Sequence, residues 1–264
     1  MSKRQIEAVI FDLGETLLNF GRLDKDAFFD KALLDSYDYL KELLQPVGSY
    51  RAYRFFHKWG IRWHLLRSWM SGNDFDSLEL LKGYGQKRGF HLDESQWEEL
   101  HWRWYQGLSE VAQIEPGTAN ALHQLSGMGL KIGLLSNTFV HKSCLERHLE
   151  SEGLLRYLPD RFYSYDFDYR KPDVRIFQEV ADKMGVAAER TIYVGDRVDN
   201  DVEGSLAAGM LPVLKKAYTN EKTKTPASVQ KITTIAELPE LIRQMCKIPC
   251  SQEKIKQQSI CKER

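Results

Sequence analysis

Short apolar segments recur along the chain, and their lengths predict buried strands. They lie at residues 6–13, 131–136, 161–165, 191–196 and 211–215. A short apolar run with turn residues on either side is typical of a strand buried on both faces. Between these runs, apolar residues follow a helical period, most clearly at Ile176, Phe177, Val180, Ala181 and Met184. Strands that alternate with helices favour an α/β fold with a parallel, doubly wound sheet.

A long segment between residues 18 and 115 interrupts this alternation. It contains all six tryptophans, and its apolar residues recur at helical spacing, as at Tyr39, Leu40, Leu43 and Leu44. Pro116-Gly117 marks the return to the alternating pattern. After residue 246 the chain is rich in Lys, Gln and Glu, a composition typical of flexible tails. We therefore predict a core at 1–17 and 116–246, a mostly α-helical insertion at 18–115, and a flexible tail at 247–264.

The overall composition argues against several kinds of partner. The 264 residues carry 37 Lys and Arg against 37 Asp and Glu, so no net charge attracts nucleic acid or a membrane surface. No stretch approaches the roughly 20 apolar residues of a membrane-spanning helix, and no secretory signal is visible. The four cysteines lack C-x-x-C spacing, so we expect reduced thiols and a cytoplasmic protein. Both a monomer and a homodimer remain open.

Reactive polar residues follow three of the predicted strands at their C-terminal ends. Asp12-Leu13-Gly14-Glu15-Thr16 comes after the first strand, Ser136-Asn137-Thr138 after the second, and an acidic cluster from Asp196 to Asp201 after the fourth. Lys171 stands before Pro172 in a loop that precedes a predicted helix. Each segment alone is typical of a turn or a helix cap. Together they lie at the edge where open α/β sheets bind ligands, which predicts a site there.

The order and spacing of these four segments resemble the motifs of the haloacid dehalogenase-like hydrolase superfamily, over roughly residues 5 to 245. By that resemblance Asp12 is the nucleophile and Thr16 closes the first motif. Ser136, Lys171 and the pair Asp196 and Asp201 match the second, third and fourth motifs. The resemblance implies a Rossmann-like core, with the insertion as a helical cap of the metal-dependent, phosphatase-like branch.

The resemblance also implies a role for each site residue. Ser136, Asn137 and Lys171 would bind the substrate phosphate, with Asp12, Ser136 and Lys171 as the catalytic residues. The implied Mg²⁺ ligands are Asp12, the backbone carbonyl of Gly14, Asp196 and Asp201.

These residue types suit phosphoryl transfer. An aspartate can attack phosphorus and form an aspartyl-phosphate, which divides one difficult displacement into two easier steps. Attack by an anion on an anion needs charge neutralisation, which Mg²⁺ and a lysine can supply. We therefore predict a Mg²⁺-dependent hydrolase that acts on a small phosphorylated metabolite.

The first motif departs from the phosphatase pattern at Gly14. Phosphatases of the superfamily carry a second Asp at this position, which serves as general acid and then as general base. Such a group is typically worth ~10²–10⁴-fold in rate. Glu15 is a candidate replacement, although neighbouring residues in a tight loop point in different directions. We therefore expect slow turnover of substrates with poor leaving groups.

Two other functions remain open. Displacement of halide from a 2-haloacid needs no proton for the leaving group, so the missing acid admits it. Asp196 followed by Asp201 argues against it, because this arrangement resembles the metal-binding form of the fourth motif, and dehalogenases of the superfamily work without metal. The third possibility is a binding module that keeps the fold with little catalysis.

Overall fold

A computed structural model describes residues 6–246 of the protein, with a parallel sheet at its centre. Within these residues six strands form one sheet in the order β3-β2-β1-β4-β5-β6. The strands are β1 (Ala8–Phe11), β2 (Lys131–Ser136), β3 (Asp160–Tyr163), β4 (Thr191–Gly195), β5 (Leu211–Lys215) and β6 (Gln230–Ile232). Five of them agree with the apolar runs in the sequence, within a few residues. The α/β, doubly wound fold class is thereby confirmed.

The position of β1 in the sheet explains where a ligand can bind. All four residues of β1 are buried, as expected for a strand covered on both faces. Ala8 pairs with Lys131 of β2 on one side and with Thr191 of β4 on the other. Strand order therefore reverses between β1 and β4, and such a switch point opens a crevice at the carboxyl ends of the strands.

Helices cover both faces of the sheet. On one face α5 (Thr118–Gly127), α6 (Lys142–Ser151) and α9 (Leu238–Cys246) pack against residues of β1 and β2 such as Val9 and Leu134. On the other face lie α7 (Val174–Met184) and the short α8 (Glu203–Ala207). The residues predicted to form the apolar face of α7 are all buried: Ile176, Phe177, Val180, Ala181 and Met184.

The predicted insertion is helical and lies between β1 and α5. Its helices are α1 (Lys25–Glu42), α2 (Tyr50–Ser71), α3 (Ser77–Lys87) and α4 (Glu94–Val111). Each begins after a residue whose side chain accepts backbone N–H bonds, namely Asp24, Ser49, Asp76 and Asp93. These helices, which we call the cap, share a hydrophobic cluster that includes Leu33, Leu40, Tyr53, Leu78, Trp97 and Leu100. The domain bounds at 17/18 and 115/116 stay predictions.

Two short connections join the cap to the core, and they are tied together. Asn19 and Gln113 exchange backbone hydrogen bonds of 2.9 and 2.8 Å. Below them the buried Lys215 of β5 donates to Asn19 Oδ1 at 2.9 Å and pairs with Glu115 Oε1 at 2.7 Å. One buried ammonium group therefore holds both connections at the edge of the core.

None of the helices within residues 6–246 is both long and apolar enough to cross a membrane. The predicted tail at 247–264 lies outside the described residues, as do Cys250 and Cys261.

Candidate active site

The carboxyl ends of three adjacent strands bring the predicted site residues together. Asp12 follows β1 directly, Ser136 ends β2, and Asp196 follows β4. Asp12 N donates to Val194 O at 2.8 Å, which extends the pairing of β1 and β4 by one residue and fixes the backbone of Asp12. All three residues line one cavity and are at least nine-tenths buried.

Lys171 reaches this cluster from the loop between β3 and α7. Its Nζ donates to Asp12 Oδ1 at 2.6 Å, to Asp201 Oδ1 at 2.7 Å and to Tyr193 Oη at 2.8 Å. An ammonium group has three N–H bonds, so these acceptors can use all of them. Lys171 thus links the carboxylate after β1, which is 159 positions away from it in the sequence, to the acidic cluster after β4.

Burial and mutual repulsion set the charges in the site. Burial raises the pKa of Asp12, and Asp201 adds to the rise, against the lowering effect of Lys171. Burial also raises the pKa of Asp196, with repulsion from Asp12 and Asp201. For Lys171, burial alone would lower the pKa, but Asp12 and Asp201 outweigh it and hold that pKa well above its usual value. The site therefore has more carboxylate charge than its lysine neutralises.

The carboxylates form a group that fits a divalent cation. One oxygen from each of Asp12, Asp196 and Asp201 lies within 4.8 Å of the others, and all three residues are buried. Mg²⁺ prefers oxygen ligands. A bound cation would also remove the repulsion among these buried carboxylates. Gly14, whose carbonyl is the further ligand implied by the resemblance, lines the same cavity.

Asn137 contacts Lys171 through its side chain. Asn137 Nδ2 donates to Lys171 O at 2.8 Å, and Asn137 Oδ1 accepts from Lys171 N at 3.0 Å. These two hydrogen bonds fix the backbone at Lys171, in the loop between β3 and α7. One N–H of the Asn137 amide is used in this contact, so its second side-chain N–H and its backbone N–H are the donors left for a phosphate.

Glu15 lines the cavity but also closes its own loop. Its φ is 55°, a left-handed conformation that is uncommon for residues other than glycine. Glu15 Oε1 accepts from the backbone N–H groups of Phe20 at 2.9 Å and Gly21 at 3.0 Å. Burial raises the pKa of Glu15 despite these two contacts. Its second carboxylate oxygen is the one to consider for proton transfer.

Two residues that contact the site were not predicted from the sequence. Tyr193 lies in the apolar run of β4, and its hydroxyl accepts from Lys171 and contacts Leu135 O at 3.1 Å. Thr219 donates to Asp196 Oδ2 from the polar loop after β5. A tyrosine within an otherwise aliphatic strand was the available signal for the first, and nothing marks Thr219 within its polar loop.

Comparisons with known proteins identify the family of this chain. Residues 6–209 match a family model described as haloacid dehalogenase-like hydrolase. The chain belongs to this family of haloacid dehalogenase-like hydrolases. The match covers β1, the cap, β2, β3, β4 and α8, and with them all the candidate site residues.

The curated relatives that match include phosphatases. The chain is 30% identical over 133 residues to a glyceraldehyde 3-phosphate phosphatase of Methanocaldococcus jannaschii, covering 50% of this chain and 58% of the relative. It is 28% identical over 142 residues to the pyrimidine 5'-nucleotidase YjjG of Escherichia coli K12, covering 53% and 60%. The chain therefore spans about three-fifths of the length of these relatives.

Among solved structures, a 2-haloacid dehalogenase from Pseudomonas syringae is similar over almost its whole length. The TM-score is 0.59 at 24% identity, covering 91% of this chain and 99% of that one. At this identity the likeness shows the fold alone.

The cap is tied to the core beside Lys171. Asp74 precedes α3 and accepts from Arg170 Nη1 at 2.7 Å and from the hydroxyls of Ser68 and Ser164. Arg170 is the neighbour of Lys171 in the chain. Farther along, His101 of α4 contacts Cys144 Sγ of α6 at 2.9 Å. The cap is thereby fixed above the carboxylates.

A cavity of about 1120 Å³ extends from the carboxylates into the cap. Its floor includes Asp12, Ser136, Lys171 and Asp196, and its walls come from all four cap helices. Ligand cavities in proteins commonly measure about 300–1,000 Å³. The cavity therefore has room for a ligand well beyond the phosphate group itself.

Proposed function

We propose that the protein is a Mg²⁺-dependent phosphatase that hydrolyses a small phosphorylated metabolite through an aspartyl-phosphate on Asp12. The observation that carries the proposal is the contact of Asp12 with Lys171 inside a buried group of carboxylates, at the floor of a large cavity. The printed names of the curated relatives, which are phosphatases and a nucleotidase, support the same reaction class.

In the first step, a carboxylate oxygen of Asp12 attacks phosphorus and displaces the leaving group. Lys171 and the hydroxyl of Ser136 hold phosphoryl oxygens, with Asn137 beside them. Because Nζ of Lys171 contacts Asp12, Asp201 and Tyr193, one of these contacts is exchanged for a phosphoryl oxygen when substrate binds. In the second step, water attacks the aspartyl-phosphate and restores the carboxylate.

Asp12, the carbonyl of Gly14, Asp196 and Asp201 would hold the metal. Bound Mg²⁺ supplies charge neutralisation for the reacting anions. Thr219 donates to Asp196, and Arg197 N donates to Asp201 Oδ2 at 2.9 Å, so both carboxylates are oriented by neighbouring groups. Such outer contacts fix the direction of metal ligands.

At positions 14 and 15 the site has no fully available side chain for proton transfer to the leaving group. Gly14 offers no acid, and Glu15 has one oxygen engaged by Phe20 and Gly21. If Glu15 is the acid and base, its second carboxylate oxygen performs that role. The proposal therefore includes slow turnover of esters whose leaving groups need a proton.

Location and partners remain predictions of the same proposal. A cytoplasmic protein that binds neither nucleic acid nor membranes is consistent with zero formal net charge. Monomer and homodimer are both compatible with it.

Halide displacement is the second candidate, favoured by the missing acid and by the likeness to a dehalogenase structure. The buried carboxylate group opposes it, since a metal-free site with this much negative charge would repel a carboxylate substrate. A chelator separates the two reactions, because only the phosphatase depends on Mg²⁺.

The direct test is phosphate release from a panel of phosphorylated metabolites, with Mg²⁺ and with a chelator. We expect release with Mg²⁺ and none with the chelator. Halide release from a 2-haloacid in the presence of chelator would support the dehalogenase instead. No activity on either panel, together with tight binding of a macromolecule, would support a binding module.

A further inference from the structure

The cavity above Asp12 has walls that are mainly aromatic and aliphatic. Phe28 and Phe29 of α1, Phe56 of α2, Tyr84 of α3 and Trp104 of α4 all line it. The aliphatic wall residues include Leu65, Leu80, Leu81 and Leu108. Aromatic rings provide large apolar area with defined geometry for an apolar ligand group.

Several polar side chains among these walls are already bonded within the protein. His101 contacts Ser77 Oγ with Nε2 at 2.7 Å and Cys144 Sγ with Nδ1 at 2.9 Å. His57 Nδ1 donates to Tyr53 O at 2.9 Å, and burial lowers the pKa of His57 to about 4, so the ring is neutral at physiological pH.

The hydroxyl of Tyr105 and the ammonium group of Lys58, both in the walls, also have partners within the protein. Tyr105 Oη contacts His148 Nδ1 at 2.9 Å, and Lys58 pairs with Asp30 at 2.6 Å.

In the described part of the chain, the Arg88 guanidinium contacts only the ring of Phe56, and Trp104 Nε1 has no hydrogen-bond partner. A ligand rich in hydroxyl groups would therefore find fewer hydrogen-bond partners along these walls than in water. Burying unpaired polar groups is unfavourable, so the walls select against such ligands.

The missing acid at Gly14 restricts the leaving group independently. With Gly14 in place of the usual acid, a leaving oxygen that can depart as an anion is favoured. A phenolic oxygen, whose pKa is about 10 in tyrosine, leaves in this form far more readily than an alkoxide. The wall chemistry and the leaving-group chemistry therefore point to the same kind of ester.

We propose that the substrate is the phosphate monoester of an apolar aromatic alcohol, with its phosphate at Asp12 and its ring between the cap walls. The inference rests on the proposed transfer of phosphate to Asp12. The oxygen of Asp12 forms a bond to phosphorus while the bond from phosphorus to the aryl oxygen breaks. The aryloxide leaves with the electron pair and takes a proton from water. Water then attacks phosphorus, the aspartyl bond breaks, and phosphate is released with the aryl alcohol.

Four phosphorylated compounds separate this inference from the proposed function. Acetyl phosphate has a good leaving group without an apolar ring, and phenyl and 2-naphthyl phosphate add one and two rings. Octyl phosphate is apolar with a poor leaving group. With Mg²⁺, KM should fall from phenyl to 2-naphthyl phosphate by about tenfold, because the second ring is buried. Octyl phosphate should inhibit competitively and be hydrolysed slowly.

The outcomes distinguish the two claims. If acetyl phosphate is hydrolysed but 2-naphthyl phosphate shows no lower KM than phenyl phosphate, the inference is overturned and the phosphatase stands. A sugar phosphate with a higher kcat/KM than 2-naphthyl phosphate would overturn it too. If none of the four compounds is hydrolysed, the proposed function itself fails.

Adjacent phenylalanines on α2 provide a matched pair of variants. Phe56 lines the cavity and is 51% exposed, whereas Phe55 does not line it and is 57% exposed. Phe56→Ser should raise KM for 2-naphthyl phosphate by about tenfold through the loss of apolar contact, and leave KM for acetyl phosphate unchanged. Phe55→Ser should change neither.

Equal effects of the two variants, or an equal effect of Phe56→Ser on both substrates, would contradict a role for the cavity in recognition. Phe28→Ser tests the part of the wall that α1 forms, and it should reproduce the selective rise in KM. Circular dichroism melts of all three variants show whether the cap remains folded.

Discussion

At the scale of single residues, Asp12 is the group on which the chemistry depends. Asp12→Asn should lower phosphate release by ~10³-fold or more, because an amide is a far poorer nucleophile than a carboxylate. Steady-state assays with Mg²⁺ measure this loss, and a thermal melt checks the fold. Substantial activity in a folded Asp12→Asn protein would rule out the covalent mechanism.

Gly14 is where a catalytic group can be restored. No atom lies within 4 Å of the position of a Cβ at Gly14, and its φ is outside the left-handed region, so a side chain fits. Gly14→Asp should accelerate hydrolysis of alkyl phosphates selectively, by up to the ~10²–10⁴-fold of a positioned acid. The comparison is kcat/KM for alkyl and aryl phosphates in both proteins.

Gly14→Ala is the control for this substitution, since it adds a Cβ without an acid and should not accelerate either substrate. Wild-type protein that hydrolyses alkyl and aryl phosphates equally fast would contradict the argument. That result would direct attention to Glu15, a cap residue or the substrate as the proton donor.

Asp196 should govern the metal requirement. Asp196→Asn removes one ligand charge, so the Mg²⁺ concentration for half-maximal activity should rise by roughly tenfold or more. The rise in melting temperature on adding Mg²⁺ should also be smaller in the variant, which measures binding without turnover. A melting temperature that responds equally to Mg²⁺ in both proteins would argue against Asp196 as a ligand.

Most residues of the candidate site could be predicted from the sequence because they follow strand ends directly. Asp12, Ser136 and Asp196 are of this kind, and the structure brings them to one cavity. Tyr193 was not predicted, because a tyrosine in a buried strand is a weak signal and the contact of its hydroxyl with Lys171 depends on tertiary structure. The Asn137 amide forms hydrogen bonds with the backbone of Lys171, and no local sequence pattern reveals this tertiary contact.

At the scale of elements, the strongly periodic segments were predicted well and the weak ones were missed. The apolar face of α7 follows directly from its spacing. The edge strand β6 has only three residues, Gln-Lys-Ile, of which Ile232 alone is buried, so its sequence resembles the polar loop around it. The π-helical turn Val198–Val202, which orients Asp201, has no sequence pattern of its own.

The contact between α4 and α6 should make stability depend on pH through His101. Burial lowers the pKa of His101 to about 3, and the nearby His141 adds to this effect. The unfolded chain, with a histidine pKa near 6.5, therefore binds more protons below that pH. The free energy of unfolding should fall as the pH drops from about 6.5 toward 3, by at most about 1.4 kcal/mol per pH unit for this group.

Comparison with His101→Asn isolates this contribution. The variant is expected to be less stable at neutral pH, because it loses contacts with Ser77 and Cys144. The difference in free energy of unfolding between wild type and variant should shrink as the pH falls, as measured by urea unfolding at several pH values. A difference that is constant with pH would show that His101 does not titrate as described.

At the scale of the whole molecule, the order of the strands in the sheet explains why part of the site could be predicted. A parallel sheet with its switch point between β1 and β4 places distant carboxylates side by side, so strand ends alone predict their meeting. The cavity in the cap depends on how four helices pack over that edge. Its apolar walls could not be derived from helical periodicity, which does not tell core-facing residues from cavity-facing ones.

The covalent intermediate is the central claim, and one measurement tests it most directly. Wild-type protein with Mg²⁺ and 2-naphthyl phosphate is quenched in acid during the first turnovers, digested and analysed by mass spectrometry. With no second Asp at Gly14 to activate water, the second step should be slow, so the phosphoenzyme should accumulate. The account predicts one phosphoryl group on the peptide that contains Asp12, located on Asp12 itself. Product formation with that peptide unmodified, or with phosphate on another residue, would contradict it.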